Sequence, residues 1–372
     1  MSLPPRQRPT NGEPLPADLH PAPIHNYALY PGEDPITTPC KTCRVKATNR
    51  LSIPAFERLL IATDFSAASQ SAFHTALDVC IELQASLVIL HVFEYANIAP
   101  PESGGEILEL HELNDRCYQS LERLCEEAAS VGVPCETVLQ AGIAAPTILD
   151  AIDSRHIDLA ILGTSALHGF ERLVFGSTAE SILRRAACPV LTIGPQVSPA
   201  EPAADPPQPI VFATDFHTAT IDAIRYAARL SQLTGSPLHC LHVLPRTLEA
   251  AGESWIVPEI MSEALMQIAT DSGLGHEAPT CATIYGSEIS NAIVDYAKQR
   301  NARLIVLGVR QASMLAIHLP EHIAYRIITE APCPVLTMAF GTPAHNAAAV
   351  ENSISRPPTS IDREPSQPTQ QQ

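Results

Sequence analysis

Glycine and hydroxyl residues with the spacing of an anion-binding loop lie in the segment GTSALHGFERLVFGSTAESILRR, residues 163–185. Gly163 ends an apolar run, and a glycine there allows a sharp turn and the close approach of a ligand. Gly176, Ser177 and Thr178 begin a predicted helix, whose first amides lack partners and carry the positive end of the dipole. The segment therefore predicts a phosphate site. The simpler alternatives are a turn at Gly163 and ordinary N-capping at Gly176 and Ser177.

The overall charge limits the partners of the chain. Its formal net charge of −17 argues against a nucleic-acid or anionic-membrane surface, because both carry the same sign. Arg172, Arg184 and Arg185 still supply local positive charge for one compact anion. No run approaches the roughly 20 apolar residues of a membrane span, and the first residues have no signal-peptide core. A cytoplasmic protein is expected.

The loop belongs to one of two copies of the same sequence pattern. Gly163 precedes Cys188 by the same interval that separates Gly308 from Cys333. Such a repeat decides the architecture before any single motif is considered. The matching segments are LLIATDFS (59–66) with IVFATDFH (210–217), LVILHV (87–92) with LHCLHV (238–243), DLAILG (158–163) with RLIVLG (303–308), and CPVLTIG (188–194) with CPVLTMA (333–339).

Continuous Val/Ile/Leu runs alternate with helical patterns in each copy, which indicates a parallel sheet covered on both faces. The predicted fold class is α/β, with two doubly wound domains of five parallel strands each. The ligand crevice of such a sheet lies at the carboxyl ends of the strands, where the strand order reverses. Asp64 follows the first strand, Val92 ends the second and Gly163 ends the fourth. The simpler role of Asp64 is capping of the helix that Ser66 is expected to begin.

Composition divides the chain into five parts. Residues 1–54 and 341–372 are rich in polar residues and proline and are predicted to be disordered tails. The two repeats are predicted as domains over 55–195 and 208–340. Between them, residues 196–207 form a Pro-rich linker.

The loop and the strand ends resemble those of the universal stress protein family, and both repeats are covered by the likeness. The family has a nucleotide loop of the form G-x-x-G-(nine residues)-G-S/T after its fourth strand. Gly163, Gly176 and Ser177 reproduce that spacing, with Ala166 in place of the second glycine. The added methyl group predicts weaker phosphate binding if that position needs a positive φ angle.

The resemblance implies an ATP or AMP site in the first repeat. It implies that Asp64 meets the ribose and that the backbone of Val92 meets the adenine. Ala166 belongs to the same loop. The residues that the resemblance places around the phosphates are Gly163, Gly176, Ser177 and Thr178.

The second repeat keeps only the side of the crevice formed by Asp215, Val243 and Gly308. Glu321 stands where the first repeat has Gly176, and His322 replaces Ser177. A carboxylate there repels a triphosphate, so no nucleotide is expected in this repeat. It is either a structural partner of the first repeat or holds an adenosine-like ligand without phosphates.

Most of the cysteines lie inside apolar runs, which suggests a protein of a reducing compartment rather than one with a disulfide framework. Cys40 and Cys43 form a lone C-x-x-C, for which a metal or redox site is weighed against a polar tail that holds two thiols. The tail is favoured, because no second C-x-x-C or closely spaced pair of histidines completes a zinc set. The group His318, Glu321 and His322 is interpreted as exposed polar residues of a helix rather than as metal ligands, so no metal site is predicted. The cysteines that lie in apolar runs and are expected to be small buried thiols are Cys80, Cys117, Cys125, Cys188, Cys240 and Cys333.

No established catalytic motif is present, so no catalytic residue is predicted. His91 and His242 end equivalent strands and are interpreted as structural. The leading hypothesis is a stress-response protein that binds adenine nucleotide and signals through nucleotide-dependent contacts with an unidentified protein partner. The alternatives are a nucleotide-independent scaffold and, less favoured, a slow ATPase.

The last strand of each repeat, 189–193 and 334–338, is predicted to be a sheet edge. An exposed apolar edge tends to find a partner. In the resembled family these edges meet across a dimer, which implies that the two repeats of this chain pair with each other. A further homodimer stays open.

Overall fold

The structure is a computed structural model, and it describes residues 56–94, 104–164, 176–197, 207–217, 223–249, 256–271, 278–310 and 323–340. The predictions that fall outside the described residues are those on both tails, on most of the linker (198–206), and on Cys40, Cys43, Ala166, Arg172, His318, Glu321 and His322.

The first repeat runs in chain order through β1 (Arg58–Ala62), α1 (Ala67–Leu83), β2 (Ser86–Phe93), α2 (Gly104–Ser130), β3 (Cys135–Ala141), α3 (Ala144–Ser154), β4 (Leu159–Gly163), α4 (Ser177–Arg185) and β5 (Val190–Ile193). The second repeat contains β6 (Ile210–Ala213), α5 (Ala223–Thr234), β7 (Leu238–Pro245), the short α6 (Arg246–Glu249), α7 (Ile256–Asp271), β8 (Thr280–Gly286), α8 (Ile289–Gln299), β9 (Leu304–Arg310), α9 (Ile323–Glu330) and β10 (Val335–Phe340).

Local sequence signals decide where α1 begins and ends. Ser66 has an extended backbone, and its Oγ accepts a hydrogen bond from the amide of Ser69 at 3.3 Å. The prediction that Ser66 caps this helix is therefore confirmed. At the other end, Gln84 takes a left-handed conformation with φ 55°, and its amide bonds to carbonyl oxygens of the last turn, which stops the helix.

All the described strands join one sheet in the order β3-β2-β1-β4-β5-β10-β9-β6-β7-β8. The strands within each repeat are parallel. The α/β, doubly wound, five-stranded parallel arrangement is confirmed, although the two halves share a continuous sheet. In the first repeat the order reverses between β1 and β4, which is the switch point at which a crevice forms.

The two repeats meet through β5 and β10, which pair antiparallel with Leu191 opposite Leu336. This confirms the prediction that the final strands pair within the chain. Gly194 lies just beyond β5, and a Cβ there would sit 2.1 Å from the carbonyl oxygen of Ile328 in α9. Glycine at this position is therefore what allows the helix of one repeat to approach the strand of the other so closely.

Both faces of the sheet are covered, and each hydrophobic core extends from one repeat into the other. One core contains Ile148, Ile182 and Ile327, from helices α3, α4 and α9. The opposite core contains Phe73 and Phe212 together with side chains of α1, α2, α5 and α7. The inner strands β1, β4, β5 and β6 are buried on both faces, which explains why they appear in the sequence as continuous apolar runs. The edge strands β3 and β8 are only partly buried.

One prediction about the cysteines is wrong. Cys125 was expected to be a free buried thiol, but its sulfur is bonded to that of Cys135. The pair connects the last turns of α2 to the start of β3. Cys135 was not among the cysteines interpreted from the sequence, and only the fold brings the two side chains together. In the described parts of the chain, no helix is both long and apolar enough to cross a membrane.

Candidate functional site

A tight turn follows β1 and fixes the position of Asp64. The amide of Thr63 donates to the carbonyl oxygen of Leu90 at 2.9 Å, which extends the ladder between β1 and β2 by one residue. The amide of Phe65 then donates to Thr63 Oγ1, and the amide of Ser66 to Asp64 Oδ1, both at 3.0 Å. Phe65 has φ 60°, an unusual value for a bulky residue. The turn therefore holds the Asp64 carboxylate in a defined place at the carboxyl end of β1.

Asp64 is exposed and ionised at neutral pH. Partial burial acts to raise the pKa of its carboxyl group, but hydrogen bonds from the side chain and backbone of Ser66 and from Ser69 outweigh it, so the pKa lies below the ordinary value. One carboxylate oxygen accepts the Ser66 amide. An ionised carboxylate with a further acceptor oxygen suits a pair of ligand hydroxyl groups.

His91 supports this turn from the neighbouring strand. Its Nδ1 lies 2.7 Å from the carbonyl oxygen of Thr63, and because a carbonyl only accepts, Nδ1 carries the proton. Its ring also packs against Phe65, with 4.5 Å between the ring centroids. These contacts give His91 a structural role beside Asp64.

Val92 lies half-buried at the end of β2, paired with Gln140 of β3. Just beyond, the amide of Gly142 donates to the Phe93 carbonyl oxygen at 3.0 Å. The Glu94 carboxylate accepts the amide of Ala144 at 2.9 Å, so this glutamate caps the beginning of α3 from outside the helix.

Ile143 lies between Gly142 and Ala144, whose amides make those two hydrogen bonds, and it is 69% exposed. Neither Ile143 nor Glu94 was identified from the sequence, and only the pairing of β2 with β3 shows that both border the end of the strand that carries Val92.

Gly163 ends β4 and pairs with Ile193 of β5. A Cβ at Gly163 would lie 2.3 Å from the carbonyl oxygen of Ala68 and 3.0 Å from the amide nitrogen of Ser69. Both are backbone atoms of the first turn of α1, which cannot yield as a flexible side chain would. The structure thus gives this glycine a packing role that neither the turn nor the ligand interpretation included.

Gly176, Ser177 and Thr178 form the beginning of α4. Gly176 is the N-cap, with φ −63° and ψ 139° and no side-chain cap. Any residue adopts that conformation, so glycine is not needed for backbone reasons. Its position is exposed, and among the described residues no heavy atom lies within 4 Å of a Cβ built there. Ser177 is exposed and Thr178 half-buried, so the helix start has open space beside it.

The positive charge expected near this helix is smaller than the sequence suggests. Arg184 Nη1 lies 3.3 Å from Glu180 Oε1, and the Glu180 side chain is largely buried. Arg184 and Arg185 occupy the last turn of α4, away from its amino end. Among the residues that the structure describes here, the favourable field at Gly176 therefore comes mainly from the helix dipole.

The first-repeat residues predicted for the site divide into three groups. Asp64, Val92 and Gly163 lie at the carboxyl ends of β1, β2 and β4, which are neighbours in the sheet. Gly176 begins α4 together with Ser177 and Thr178. Ala166 lies outside the described residues.

The second repeat reproduces the first turn closely. The amide of Phe216 donates to Thr214 Oγ1, and that of His217 to Asp215 Oδ1, both at 3.0 Å. Phe216 has φ 62°. His242 Nδ1 lies 2.8 Å from the Thr214 carbonyl oxygen. Threonine at equivalent positions of both repeats, Thr63 and Thr214, is a sequence signal for this turn.

The two repeats differ at the strand that precedes the loop. The ladder between β4 and β5 ends with Gly163 opposite Ile193. The ladder between β9 and β10 continues past Gly308 to Arg310, opposite Phe340. The paired strands thus extend two residues beyond the position that corresponds to Gly163.

Comparison with known proteins gives the following matches. The model of the "Universal stress protein family" matches residues 55–194 and 207–338. A universal stress protein of Methanocaldococcus jannaschii is 28% identical over 141 residues, covering 37% of this chain and 82% of that protein. One from Bacillus subtilis is 29% identical over 146 residues, covering 37% of this chain and 99% of that protein.

Among solved structures, the crystal structure of a universal stress protein from Archaeoglobus fulgidus aligns with a TM-score of 0.60. The alignment covers 77% of this chain and 98% of that one at 20% identity. At that identity the likeness concerns the fold alone.

Proposed function

Because the chain belongs to the universal stress protein family, we propose that its first repeat binds an adenine nucleotide, ATP or AMP. Binding changes the contacts that the protein makes with a partner protein during stress. The observation that carries the proposal is the Asp64 turn. It holds an ionised carboxylate at the switch point of the sheet, between the strands that end in Val92 and Gly163.

Each residue has a distinct part in the proposed site. Asp64 accepts hydrogen bonds from the ribose hydroxyl groups, and its low pKa keeps it an acceptor at physiological pH. The backbone of Val92 faces the adenine. The phosphates lie beside α4, whose amino end is open at Gly176. The residues proposed around them are Gly163, Ala166, Gly176, Ser177 and Thr178.

The second repeat is proposed as the fixed half of the molecule. It is joined to the first through the β5–β10 pairing and through both hydrophobic cores. When nucleotide binding changes the conformation of the first repeat, the surfaces of that repeat would move relative to a second repeat that keeps its conformation.

Titration calorimetry of nucleotide-stripped protein with ATP, AMP and cyclic AMP tests the proposal. One nucleotide is expected to bind per chain. A Gly176→Glu variant copies the residue of the second repeat, and its side chain has room to project without disturbing the fold. Its affinity for ATP should fall at least about tenfold, because like charges about 4 Å apart near a protein surface repel by roughly 4 kcal/mol.

Gln299→Glu is the matched control, since it adds the same charge at an exposed position of α8 and should bind ATP as the native protein does. If no nucleotide produces heat and none changes the melting temperature, the proposal of a nucleotide-binding protein is contradicted. The nucleotide-independent scaffold is then the remaining hypothesis. Release of inorganic phosphate from bound ATP over time would instead support the slow ATPase.

A further inference from the structure

Two free thiols lie side by side on adjacent strands of the second repeat. Cys240 of β7 and Cys281 of β8 are direct partners in the parallel ladder. Neighbouring strands are about 4.8 Å apart, within the range of roughly 4.4–6.8 Å that separates the Cα atoms of disulfide-bonded cysteines. The two residues can therefore form a bond without a change in strand register.

The two thiols differ in burial and in hydrogen bonding. The Cys240 side chain is fully buried, whereas Cys281 is only half-buried. Cys240 donates a hydrogen bond to the sulfur of Cys281, and this bond lowers the pKa of Cys281 despite an opposing effect of burial. The same hydrogen bond, together with burial, raises the pKa of Cys240. Cys281 is thus the sulfur that ionises first and the less buried of the two.

The other described free thiols lack this combination. Burial raises the pKa of Cys80, Cys188 and Cys333 to about 12 in each case. Burial also raises the pKa of Cys117. Since the thiolate is the reactive form, these side chains are poor nucleophiles at neutral pH.

The position of β8 favours closure of the bond. This strand is one of the two outermost strands of the sheet, so among the described strands it has a neighbour on one side only. Such a strand adjusts by a few tenths of an ångström more readily than a central one. We propose that Cys281 and Cys240 form a peroxide-reactive dithiol, in which Cys281 is the attacking sulfur and Cys240 the resolving one.

The reaction consumes one molecule of hydrogen peroxide. The Cys281 thiolate attacks one peroxide oxygen, the O–O bond breaks, and the hydroxide that leaves takes up a proton to become water. Cys281 is then a sulfenic acid. The Cys240 sulfur loses its proton and attacks the Cys281 sulfur, an S–S bond forms, the S–O bond breaks, and a second water leaves. Two thiols are oxidised by two electrons in total, and the peroxide is reduced to water.

Mass spectrometry of the full chain after brief treatment with hydrogen peroxide, followed by alkylation of the remaining thiols and non-reducing digestion, tests this proposal. The expected product is a cross-linked peptide pair that contains Cys240 and Cys281. A Cys240→Ser variant should instead accumulate the sulfenic acid at Cys281, which dimedone traps. A Cys281→Ser variant should yield neither product.

Cys188→Ser is the matched control, because Cys188 is half-buried like Cys281 but has a raised pKa. This variant should form the Cys240–Cys281 cross-link as the native chain does. The proposal is overturned if folded native protein forms no cross-link, or if dimedone labels Cys188 of the native chain as fast as it labels Cys281 of the Cys240→Ser variant. A melting curve for each variant distinguishes lost chemistry from lost structure.

Discussion

The Nδ1 atom of His91 lies 2.7 Å from the carbonyl oxygen of Thr63, and this contact ties the end of β2 to the turn that presents Asp64. The imidazole N–H thus supplies a hydrogen-bond donor for the backbone carbonyl of the residue that follows β1. The second repeat contains the same contact between His242 and Thr214, at 2.8 Å. The proposed nucleotide site of the first repeat and the equivalent turn of the second repeat thus share one supporting hydrogen bond.

Replacement of His91 by alanine should weaken both folding and ATP binding. Loss of the hydrogen bond is expected to lower the free energy of unfolding by about 1 kcal/mol, and a looser Asp64 should reduce nucleotide affinity. His242→Ala is the control, because it removes the equivalent bond from the repeat that is not proposed to bind nucleotide. Urea unfolding and calorimetry measure the two effects. Equal loss of ATP affinity in both variants would contradict a local role for His91.

The two glycines at the ends of the loop should respond differently to alanine. Gly163→Ala places a methyl group 2.3 Å from the Ala68 carbonyl oxygen, and this overpacking should cost about 1–3 kcal/mol of folding stability. Gly176→Ala adds the same group in open space, so only the poorer N-cap preference of alanine should lower its stability, by less than about 1 kcal/mol. Thermal melting of the two variants, compared with the native protein, measures these changes in stability. A stable Gly163→Ala protein would show that α1 is not held against β4 as described.

The sequence predicts the fold well because the elements depend on short-range patterns. The inner strands β1, β4, β5 and β6 are buried on both faces and therefore appear as continuous apolar runs, and Ser66 has the side chain that caps α1. Contacts between distant segments leave no such signal. The clash that forces glycine at 163 comes from the first turn of α1, and the bond between Cys125 and Cys135 requires α2 to end against β3. Nothing in the composition of either segment indicates these approaches.

Ile143 should contribute to recognition of the base. It is apolar and 69% exposed beside the end of β2, where the proposed adenine lies. Ile143→Ser is expected to weaken binding of AMP about three- to tenfold, because an apolar side chain buried by a ligand contributes roughly 1 kcal/mol or more. Binding of inorganic triphosphate should not change. Ile81→Ser, at a 51% exposed position of α1, is the control and should leave both affinities unaltered.

A test with AMP separates failure of this prediction from failure of the site as a whole. If native protein binds AMP and Ile143→Ser binds it equally well, Ile143 lies outside the base pocket. If native protein binds no nucleotide, the proposed site itself is wrong.

His242 should make folding sensitive to mild acid. Burial lowers the pKa of its imidazole below the ordinary 6.5, against the opposing effects of its hydrogen bond to Thr214 and of the Asp215 charge. The unfolded chain therefore binds a proton at a higher pH than the folded one. The effect of His242 on the free energy of unfolding is absent well above pH 6.5. As the pH falls through 6.5 toward the lower pKa of the folded state, His242 destabilises the protein increasingly.

The free energy of unfolding should accordingly rise with pH between about 5.5 and 7.5. In a His242→Gln variant, which keeps an N–H donor but does not titrate, the slope should be smaller. Part of the pH dependence should remain, because burial also lowers the pKa of His239. Urea unfolding at a series of pH values measures the slopes, and identical slopes for the two proteins would rule out the assignment to His242.

An ion pair between the two repeats should stabilise their association. The guanidinium of Arg303, just before β9, contacts both carboxylate oxygens of Glu82 at 2.8 and 2.6 Å, and its Nη1 also lies 3.2 Å from Ser236 Oγ. Both charged side chains are about one-third exposed, so solvent screens the attraction in part. A coupling energy of about 1 kcal/mol is expected from a double-mutant cycle with Arg303→Met and Glu82→Gln, measured by urea unfolding.

The control is the pair Arg326 and Glu330, which lies within one helix at 3.7 Å and should couple by only about 0.3–0.5 kcal/mol. A coupling for Arg303 and Glu82 no larger than that would mean that the β5–β10 pairing and the shared cores hold the repeats together without help from this contact.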